Sequence, residues 1–437
     1  MKKHVSFLKP GALYVACVAM ILLLDSCQDK VEITREYTVF EPVYLSLNDL
    51  REGFEVTTPQ TIEERGKLYL YQNWIFINDP GKGIHVIDNS NPASPSPVSY
   101  LTLPGNYSFS IRNNQLYADS YIDLVVLNIS NMSDIQEVNR LEGIFSNFND
   151  DFVIDSENGL IIDYEPVRKV EVTVEETGGN FEDFYTYNSV DFLYRFAENA
   201  VASSDAAFVP QNQTGIGGSL ATFTIVDEFL YALDDSNIHT FNISNAASPV
   251  KVSELFLGWD IETLFPYNSS LFVGAQSGMY IVDNTNQSSP DLITKYEHVV
   301  SCDPVVVQND RAYVTLRDGR NCGGSLNQLE VIDISNLSNP TQIAEYPMTN
   351  PHGLGIDGNV LFVCEGAGGL KVFDATDDLK ISQNMISQLS NIDAYDVIPF
   401  NNTLFLIGAD GLFQYDYSDP EDILLISKLE ITPSSEL

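Results

Sequence analysis

The chain has few basic residues for its length. Its 437 residues include 22 lysines and arginines but 61 aspartates and glutamates, which gives a formal net charge of −39. A field of this sign repels nucleic acid phosphates and anionic lipid headgroups, so nucleic acid is excluded as a partner. The same field favours cationic partners or divalent ions, and it also keeps a protein soluble at a crowded cell surface.

The sequence also lacks the motifs of common metal and catalytic sites. Its five cysteines and five histidines are scattered, with no CxxC or HExxH pairing, so we assign no metal-ligating residues and expect no cofactor. There is no Ser-His-Asp signature, no phosphate-binding loop, no sialidase-type Asp box and no quinone-cofactor tryptophan pattern. An enzyme is therefore the less favoured function class, and its remaining candidates are His352, in PHGLGIDG, and paired loop carboxylates.

Long apolar runs are absent except for one at the amino terminus. Residues 11–24 follow Lys2, Lys3 and Lys9 and are too few to span a bilayer comfortably, which is typical of a signal peptide. The run ends in LLLDSC, which resembles a bacterial lipobox with Cys27 as the lipidated residue, although Asp25 departs from that pattern. The alternative is a plain secretory signal with Cys27 incidental. We expect an outer membrane lipoprotein, facing the periplasm or the cell surface and held to the membrane by lipid alone.

The chain contains a recurring strand-forming unit with a polar ending. Its clearest copies are GIHVIDNSNPASP (83–95), NIHTFNISNAASP (237–249), GMYIVDNTNQSSP (278–290) and LEVIDISNLSNP (329–340); weaker copies lie at 123–134, 369–378 and 411–422, and a blurred one at 159–176. Undisturbed copies are roughly 40 residues apart, a period of repeat folds. One module, 260–297, reads as four short strands separated by turns, which predicts the blades of an all-β propeller.

The modules divide the chain into three parts. Residues 1–26 are predicted to be a lipoprotein signal peptide, 27–64 a tether and N-terminal edge segment, and 65–437 the β-propeller. Within the edge segment, residues 40–47 either add an edge strand or pack beneath the ring. Counting modules gives eight four-stranded blades, or seven if the irregular blade with an insertion at about 150–219 is miscounted. We expect the last strand, 423–431, to close the ring against the first module.

The repeat endings look like LVIVD repeats, a propeller-type repeat of bacterial and archaeal surface proteins. Together with the lipobox and the segments CDPVVV (302–307), NCGG (321–324) and GLKVFDA (369–375), they resemble repeat lipoproteins of the Bacteroidota. The resemblance implies a propeller at the cell envelope and no particular activity.

The residues before the inner strands form the candidate site. They are Arg65, Asn106, Asp150, Leu220, Asp260, Asp303, His352 and Asp393. A propeller brings these positions around one channel mouth, with Trp259 as an apolar platform beside Asp260. Cys302 and Cys322 fall on loops of the same face, and an exported protein can oxidise them to a disulfide, whereas Cys364 reads as a buried hydrophobe. We expect this face to bind a cationic segment or a divalent ion; alternatively, these polar residues only cap strands.

The function class that these features favour is a binding or scaffold module at the cell envelope, with a protein or glycan partner. The alternative is a carbohydrate-active or other hydrolytic propeller enzyme that uses the channel-mouth acids and His352.

Overall fold

The structure is a computed structural model that describes residues 30–63, 66–145, 154–155, 157–176, 214–259, 261–297, 304–318 and 326–431. These residues form 33 strands, one short α-helix (α1, Leu47–Glu52) and one 3-10 turn at Ile381–Gln383. None of their helices has the length and hydrophobicity that a membrane-spanning helix needs. The fold is therefore all-β, as the strand-and-turn pattern predicts.

Seven of the eight described sheets contain four consecutive antiparallel strands, which we number as blades 1 to 7. Blades 1 to 4 comprise β3–β6 (Leu68–Tyr71, Trp74–Asp79, Gly83–Asp88, Ser96–Thr102), β7–β10 (Phe109–Arg112, Gln115–Ser120, Asp123–Asn128, Gln136–Leu141), β14–β17 (Phe223–Val226, Phe229–Leu233, Asn237–Asn242, Val250–Phe256) and β18–β21 (Ile261–Tyr267, Ser270–Ala275, Gly278–Asp283, Asp291–Glu297). Blades 5 to 7 comprise β22–β25 (Val305–Gln308, Arg311–Leu316, Gln328–Asp333, Thr341–Pro347), β26–β29 (Leu354–Asp357, Val360–Cys364, Leu370–Asp374, Met385–Leu389) and β30–β33 (Ala394–Phe400, Thr403–Gly408, Gly411–Asp416, Leu424–Glu430).

The polar ending of the repeat has a structural cause. In each blade the third strand ends in Asp or Asn, whose side-chain oxygen accepts the N–H two residues later, at 2.8–3.0 Å in all seven cases. These Asx turns begin the loop to the fourth strand. Tight hairpins form where paired asparagines predict them, with positive φ at Asn113, Asn114, Asn401 and Asn402. The Asp and Asn residues of the repeat therefore hold loops in shape.

The blades form a closed ring. From blade 2 to blade 7, the first strands of neighbouring blades contact one another. Buried apolar clusters join blades 1 and 2, 2 and 3, 3 and 4, 4 to 6, and 6 and 7. A further cluster joins Leu68 and Ile77 of blade 1 to Ile398 and Ile407 of blade 7. The prediction of a β-propeller with four-stranded blades, seven or eight in number, is confirmed. Closure differs in detail, because the last strand, β33, pairs with β32 and the blades meet through side chains.

Three further segments lie outside the seven meanders. Strand β2 (Glu55–Thr57) extends the outer edge of blade 1 by pairing with β6. The N-terminal segment thus supplies an edge strand at 55–57, whereas residues 40–45 belong to β1 (Lys30–Leu45). Strands β11 (Ile154–Asp155) and β12 (Gly159–Glu176) form a three-stranded sheet with β1. The described residues of the irregular module therefore do not form a four-stranded sheet of their own.

Two compact units account for the described chain. One contains the described residues between 44 and 161 and from 214 to 431, which include all seven blades; the other contains residues 30–43 and 162–176. Within the second unit, Arg168 pairs with Glu36, and Lys169 pairs with Glu41 at 2.6 Å. Both ion pairs connect the long strands β1 and β12.

Candidate functional site

The predicted site lies at one end of the ring, which we call the connection face. It contains the segments that lead from one blade to the next, at residues 104–108, 257–259, 348–353 and 390–393. Four of the predicted positions fall outside the described residues, as do the lipidation residue and the proposed disulfide: Arg65, Asp150, Asp260, Asp303, Cys27, Cys302 and Cys322. Asn106, Trp259, His352 and Asp393 can be placed, and they differ sharply in exposure.

Asn106 is a buried structural residue. Its amide donates to Asp119 Oδ1 at 2.9 Å and its side-chain oxygen accepts from Asn78 Nδ2 at 2.9 Å. The same Asp119 oxygen accepts the backbone N–H groups of Tyr107 and Ser108 at 2.7 and 3.0 Å. The network fixes the chain just before β7, so at this position the strand-capping alternative is the better account.

His352 is also held inside the protein. Only 5% of the residue is exposed, its ring lies 4.4 Å from the ring of Tyr395, and its backbone N–H donates to the carbonyl of Cys364 at 2.8 Å. Cys364 itself is fully buried, as its apolar strand predicts, and burial raises the pKa of its thiol. A general base must reach its substrate, so this position does not favour catalysis by His352.

Two buried acidic residues near His352, Glu365 and Asp396, are not predicted by the rule that site residues directly precede the inner strands. Glu365 is fully buried, accepts the N–H of Thr349 at 2.9 Å and pairs with Lys371 at 3.1 Å. Asp396 is buried in β30, three residues after Asp393, and its carboxylate accepts the N–H of Val397 at 2.8 Å. Nothing local marks either residue in the sequence, because their burial depends on packing between blades.

Asp393 lies at the edge of this group. Its side chain is half-buried, and its backbone carbonyl accepts the N–H of Ala409 at 3.0 Å. The neighbouring Ala394 bridges to Gly366, so Asp393 and His352 belong to adjacent loops of blades 6 and 7. Asn106 lies separately, between blades 1 and 2.

The centre of the ring is occupied by the chain itself. Strand β13 (Ile216–Gly217) pairs with β3 on its inner edge, and Gly215 donates to the carbonyl of Ile111 in blade 2 at 2.9 Å. Ser219 Oγ, at the end of the segment, accepts the N–H of Leu354 in blade 6 at 3.2 Å. The segment 214–219, which we call the channel strand, thus contacts three blades.

The glycines of the channel strand are required by its close approach to the blades. A Cβ atom on Gly215 would lie 2.2 Å from Cε1 of Tyr69 and 2.7 Å from the carbonyl oxygen of Leu70. A cavity of about 10 Å³ remains beside the strand, lined in part by Lys67, Ser108 and Asp396, which is room for roughly one water. The backbone of the channel strand therefore fills the centre of the ring, where the sequence predicts an open concave mouth.

The charges next to this cavity are strongly affected by burial. Desolvation lowers the pKa of Lys67 to about 8, and Lys67 Nζ donates to Thr222 Oγ1 at 3.2 Å. Burial raises the pKa of Asp119 to about 6, against the opposing hydrogen bonds of its neighbours. Among the residues that the structure describes, no three His, Cys, Asp or Glu side chains are placed to share a metal ion.

Of the predicted binding residues that the structure describes, Trp259 is the one with a largely exposed side chain. It is 54% exposed, and Phe256, at the end of outer strand β17, is 59% exposed. Their ring centroids are 5.9 Å apart with an edge-to-face angle of 76°, a favourable aromatic arrangement. Trp259 is among the residues predicted from the sequence, whereas Phe256 is not, although the alternation of exposed residues along β17 indicates that Phe256 faces solvent.

Comparison with known protein families supports the prediction that the chain is a repeat protein. Residues 66–108, 271–298 and 322–347 match the family model described as LVIVD repeat, which is less than half of the chain. These residues cover the four strands of blade 1 and parts of blades 4 and 5. No curated protein matches the sequence.

Three solved structures illustrate the structural likeness. The computationally designed Ika8 protein shares 11% identity at a TM-score of 0.49, covering 86% of this chain and 92% of its own. BamB from Moraxella catarrhalis shares 10% identity at 0.47, covering 88% and 97%. Hsv2 from Kluyveromyces lactis shares 12% identity at 0.45, covering 84% and 100%.

Proposed function

We propose that this protein is a binding or scaffold module of the cell envelope, exported and anchored in the outer membrane by lipid on Cys27. A propeller of LVIVD repeats fits a binding or scaffold module. The exported, anchored location is supported by the basic amino terminus, the single apolar run and the lipobox-like LLLDSC. Cys302 and Cys322, if joined, would stabilise the connection face in that oxidising compartment.

The observation that carries the binding role is the exposed aromatic pair of Phe256 and Trp259. Aromatic side chains dominate the energetics of protein interfaces, because they bury a large apolar area at a small cost in side-chain entropy. The outer side of β17 continues the apolar surface with Val250 and Val252, both exposed. The net charge of −39 favours a partner with a basic surface, which the field would attract before the aromatic contact forms. We therefore propose a protein partner at this surface.

Site-specific photo-crosslinking in intact cells tests this surface. A photoreactive phenylalanine analogue at position 259 should give a discrete crosslinked species, and the same analogue at position 424 should not. Leu424 is the matched control, because it is 56% exposed at the start of the corresponding outer strand of blade 7. With the analogue kept at position 259, Phe256→Ala should then weaken recovery of the crosslinked partner about tenfold or more, the effect of a hot-spot residue. Equal crosslinking at both positions would contradict the proposal.

The anchor is tested separately. Cys27→Ser removes the lipid attachment, so the protein should move from the membrane fraction to the soluble periplasmic fraction and lose incorporation of an alkyne-labelled fatty acid. Each buried methylene of an acyl chain contributes about 0.8 kcal/mol to membrane binding, so the shift should be nearly complete. An unchanged membrane fraction and label would show that Cys27 is incidental, and would leave the crosslinking result unaffected.

A hydrolytic enzyme is not favoured by any described contact. It would need His352 or a pair of channel-mouth acids open to substrate, whereas His352 is packed against Tyr395 and Glu365 is fully buried. A panel of polysaccharides and esters incubated with the protein should therefore show no turnover that His352→Ala abolishes.

A further inference from the structure

A second surface feature lies at the opposite end of the ring, which we call the turn face. It contains the turns between first and second strands, such as residues 72–73 and 401–402, and the loops between third and fourth strands, such as 89–95. Antiparallel alternation places these on the side away from the connection face. A cleft of about 430 Å³ opens there between blades 1 and 7, within the range of pockets that hold small ligands, about 300–1,000 Å³.

The cleft has an aromatic lining on rigid elements. Trp74 begins β4, and Phe400 and Phe405 belong to the hairpin of β30 and β31. The two blades are joined beside the cleft by reciprocal amide hydrogen bonds between Asn89 and Gln414, at 2.9 and 2.7 Å. The aromatic groups are therefore held in place before any ligand arrives, which lowers the entropic cost of binding.

The polar side chains that line the cleft are amides and the hydroxyl groups of Tyr71, Thr214 and Thr403. Gln72, Asn73 and Asn401 are exposed lining residues on the two hairpin turns. Gln72 and Asn401 have φ values of 55° and 51°, so each sits in a tight turn. Within the described part of the chain, the side chains of Asn73 and Asn401 make no hydrogen bond with the protein. An amide offers both donors and an acceptor, which is what a hydroxyl group needs in a partner.

Among the residues that the structure describes, no Asp, Glu, Lys, Arg or His lines the cleft, although the sequence contains 83 Asp, Glu, Lys and Arg residues. An anionic ligand would meet no cation there and would be repelled by the field of the protein. A cationic ligand would lose water without gaining a carboxylate partner. The lining therefore selects an uncharged ligand.

We propose that this cleft binds a neutral oligosaccharide. The C–H faces of a sugar ring pack against aromatic rings, whose faces are electron-rich, and the hydroxyl groups at its edge exchange hydrogen bonds with the amides of Gln72, Asn73 and Asn401. A proline-rich peptide also packs on aromatic side chains, but it presents only carbonyl acceptors and makes no use of the amide oxygens. The proposal concerns the turn face and does not depend on the partner proposed for the connection face.

The binding assay uses the tryptophan content of the protein. The sequence has two tryptophans, Trp74 and Trp259, so in the Trp259→Phe background the emission comes from Trp74 in the cleft. The full-length chain in a zwitterionic detergent without a sugar headgroup is titrated with cellohexaose, maltohexaose, xylohexaose and mannohexaose. Oligogalacturonate, chitosan oligomers and a proline-rich decapeptide serve as charged and peptide comparators. At least one neutral hexasaccharide should change the Trp74 emission saturably, and the comparators should not.

Two isosteric variants localise the effect. Asn401→Asp replaces an amide that lines the cleft by a carboxylate, and should weaken saccharide binding about tenfold. Asn402→Asp makes the same change one residue along the same turn, at φ 60° and outside the lining, and should change binding less than twofold. Asp tolerates positive φ almost as well as Asn, so both variants should keep the melting temperature. Absence of binding by all four neutral saccharides, tighter binding of a comparator, or equal effects of the two variants would overturn the proposal.

Discussion

Replacement of Gln414 by Leu tests the closure of the ring between its first and last blades. Gln414 is fully buried in β32, and its amide is hydrogen bonded to Asn89, 325 positions earlier in the chain, at 2.9 and 2.7 Å. It also donates to Ser427 Oγ at 3.2 Å within its own blade. The leucine keeps most of the side-chain volume and removes these hydrogen bonds.

The expected loss of stability is about 2 kcal/mol. Each of the two reciprocal amide bonds contributes about 0.5–1.5 kcal/mol, and Asn89 is only partly buried, so water can satisfy part of the amide that loses its partner. The entropy of unfolding is about 2.1 cal/mol/K per residue, or roughly 0.8 kcal/mol/K for about 370 residues. Gln414→Leu should therefore lower the melting temperature by about 2–3 °C.

Differential scanning calorimetry checks this value against a control. Gln388→Leu removes an exposed amide that donates to Gly368 in its own blade at 3.0 Å, and should shift the melting temperature by less than about 0.5 °C. In a double-mutant cycle, Asn89→Leu and Gln414→Leu should be non-additive by about 1 kcal/mol, because they remove the same contact. Additive effects would mean that the two residues do not touch, and the closed ring would be refuted.

The remaining predictions concern the centre of the ring. Gly215→Ala should destabilise the protein by about 1–3 kcal/mol, because the added Cβ would lie 2.2 Å from Tyr69. Gly217→Ala should destabilise it less, because the nearest atoms to its Cβ are 3.2 Å away. Equal melting temperatures of the two variants would contradict the position of the channel strand. The folded pKa of Asp119, about 6, lies above its ordinary value of 3.8, so the stability of the wild type relative to Asp119→Asn should fall as pH rises from about 4 to 6. Lys67 has the opposite sign: its folded pKa of about 8 lies below 10.5, so the stability of the wild type relative to Lys67→Met should rise between about pH 8 and 10.5. Denaturant midpoints across pH measure both differences, and parallel pH profiles would show that neither group is desolvated.

The blade architecture could be predicted because it is encoded locally. Each third strand combines alternating apolar residues with a terminal Asp or Asn that makes its own turn, so seven strong or weak copies of the ending mark seven third strands. The blurred copy at 159–176 lacks that ending. It has the strand-forming residues of β12 but not the turn chemistry that leads to a fourth strand, which is why module counting alone left seven and eight blades open.

The candidate site was less predictable because it depends on contacts between distant parts of the chain. The rule that residues before inner strands gather at a channel mouth found Asn106, His352 and Asp393, but it could not tell that Asn106 and His352 are buried. The channel strand has no alternating pattern and is two residues long as a strand. Its one signal is the glycine content of 215–218, which marks close approach of backbone without saying to what.

The two proposed binding surfaces should respond differently to salt, because charge contributes to only one of them. The described buried acids near the ring centre are satisfied by backbone N–H groups or a lysine, as Asp119 and Glu365 are, so the excess negative charge acts mainly from the surface. That field can attract a basic partner to Phe256 and Trp259, and it is screened as the Debye length falls from about 10 Å at 0.1 M salt to about 3 Å at 1 M. The described residues that line the cleft beside Trp74 carry no formal charge. Recovery of the partner crosslinked at position 259 should therefore fall steeply between 0.1 M and 1 M salt, while the affinity for saccharide at Trp74 should change by less than about twofold. Equal sensitivity of the two surfaces to salt would mean that charge contributes to both, and the argument for a neutral ligand would fail.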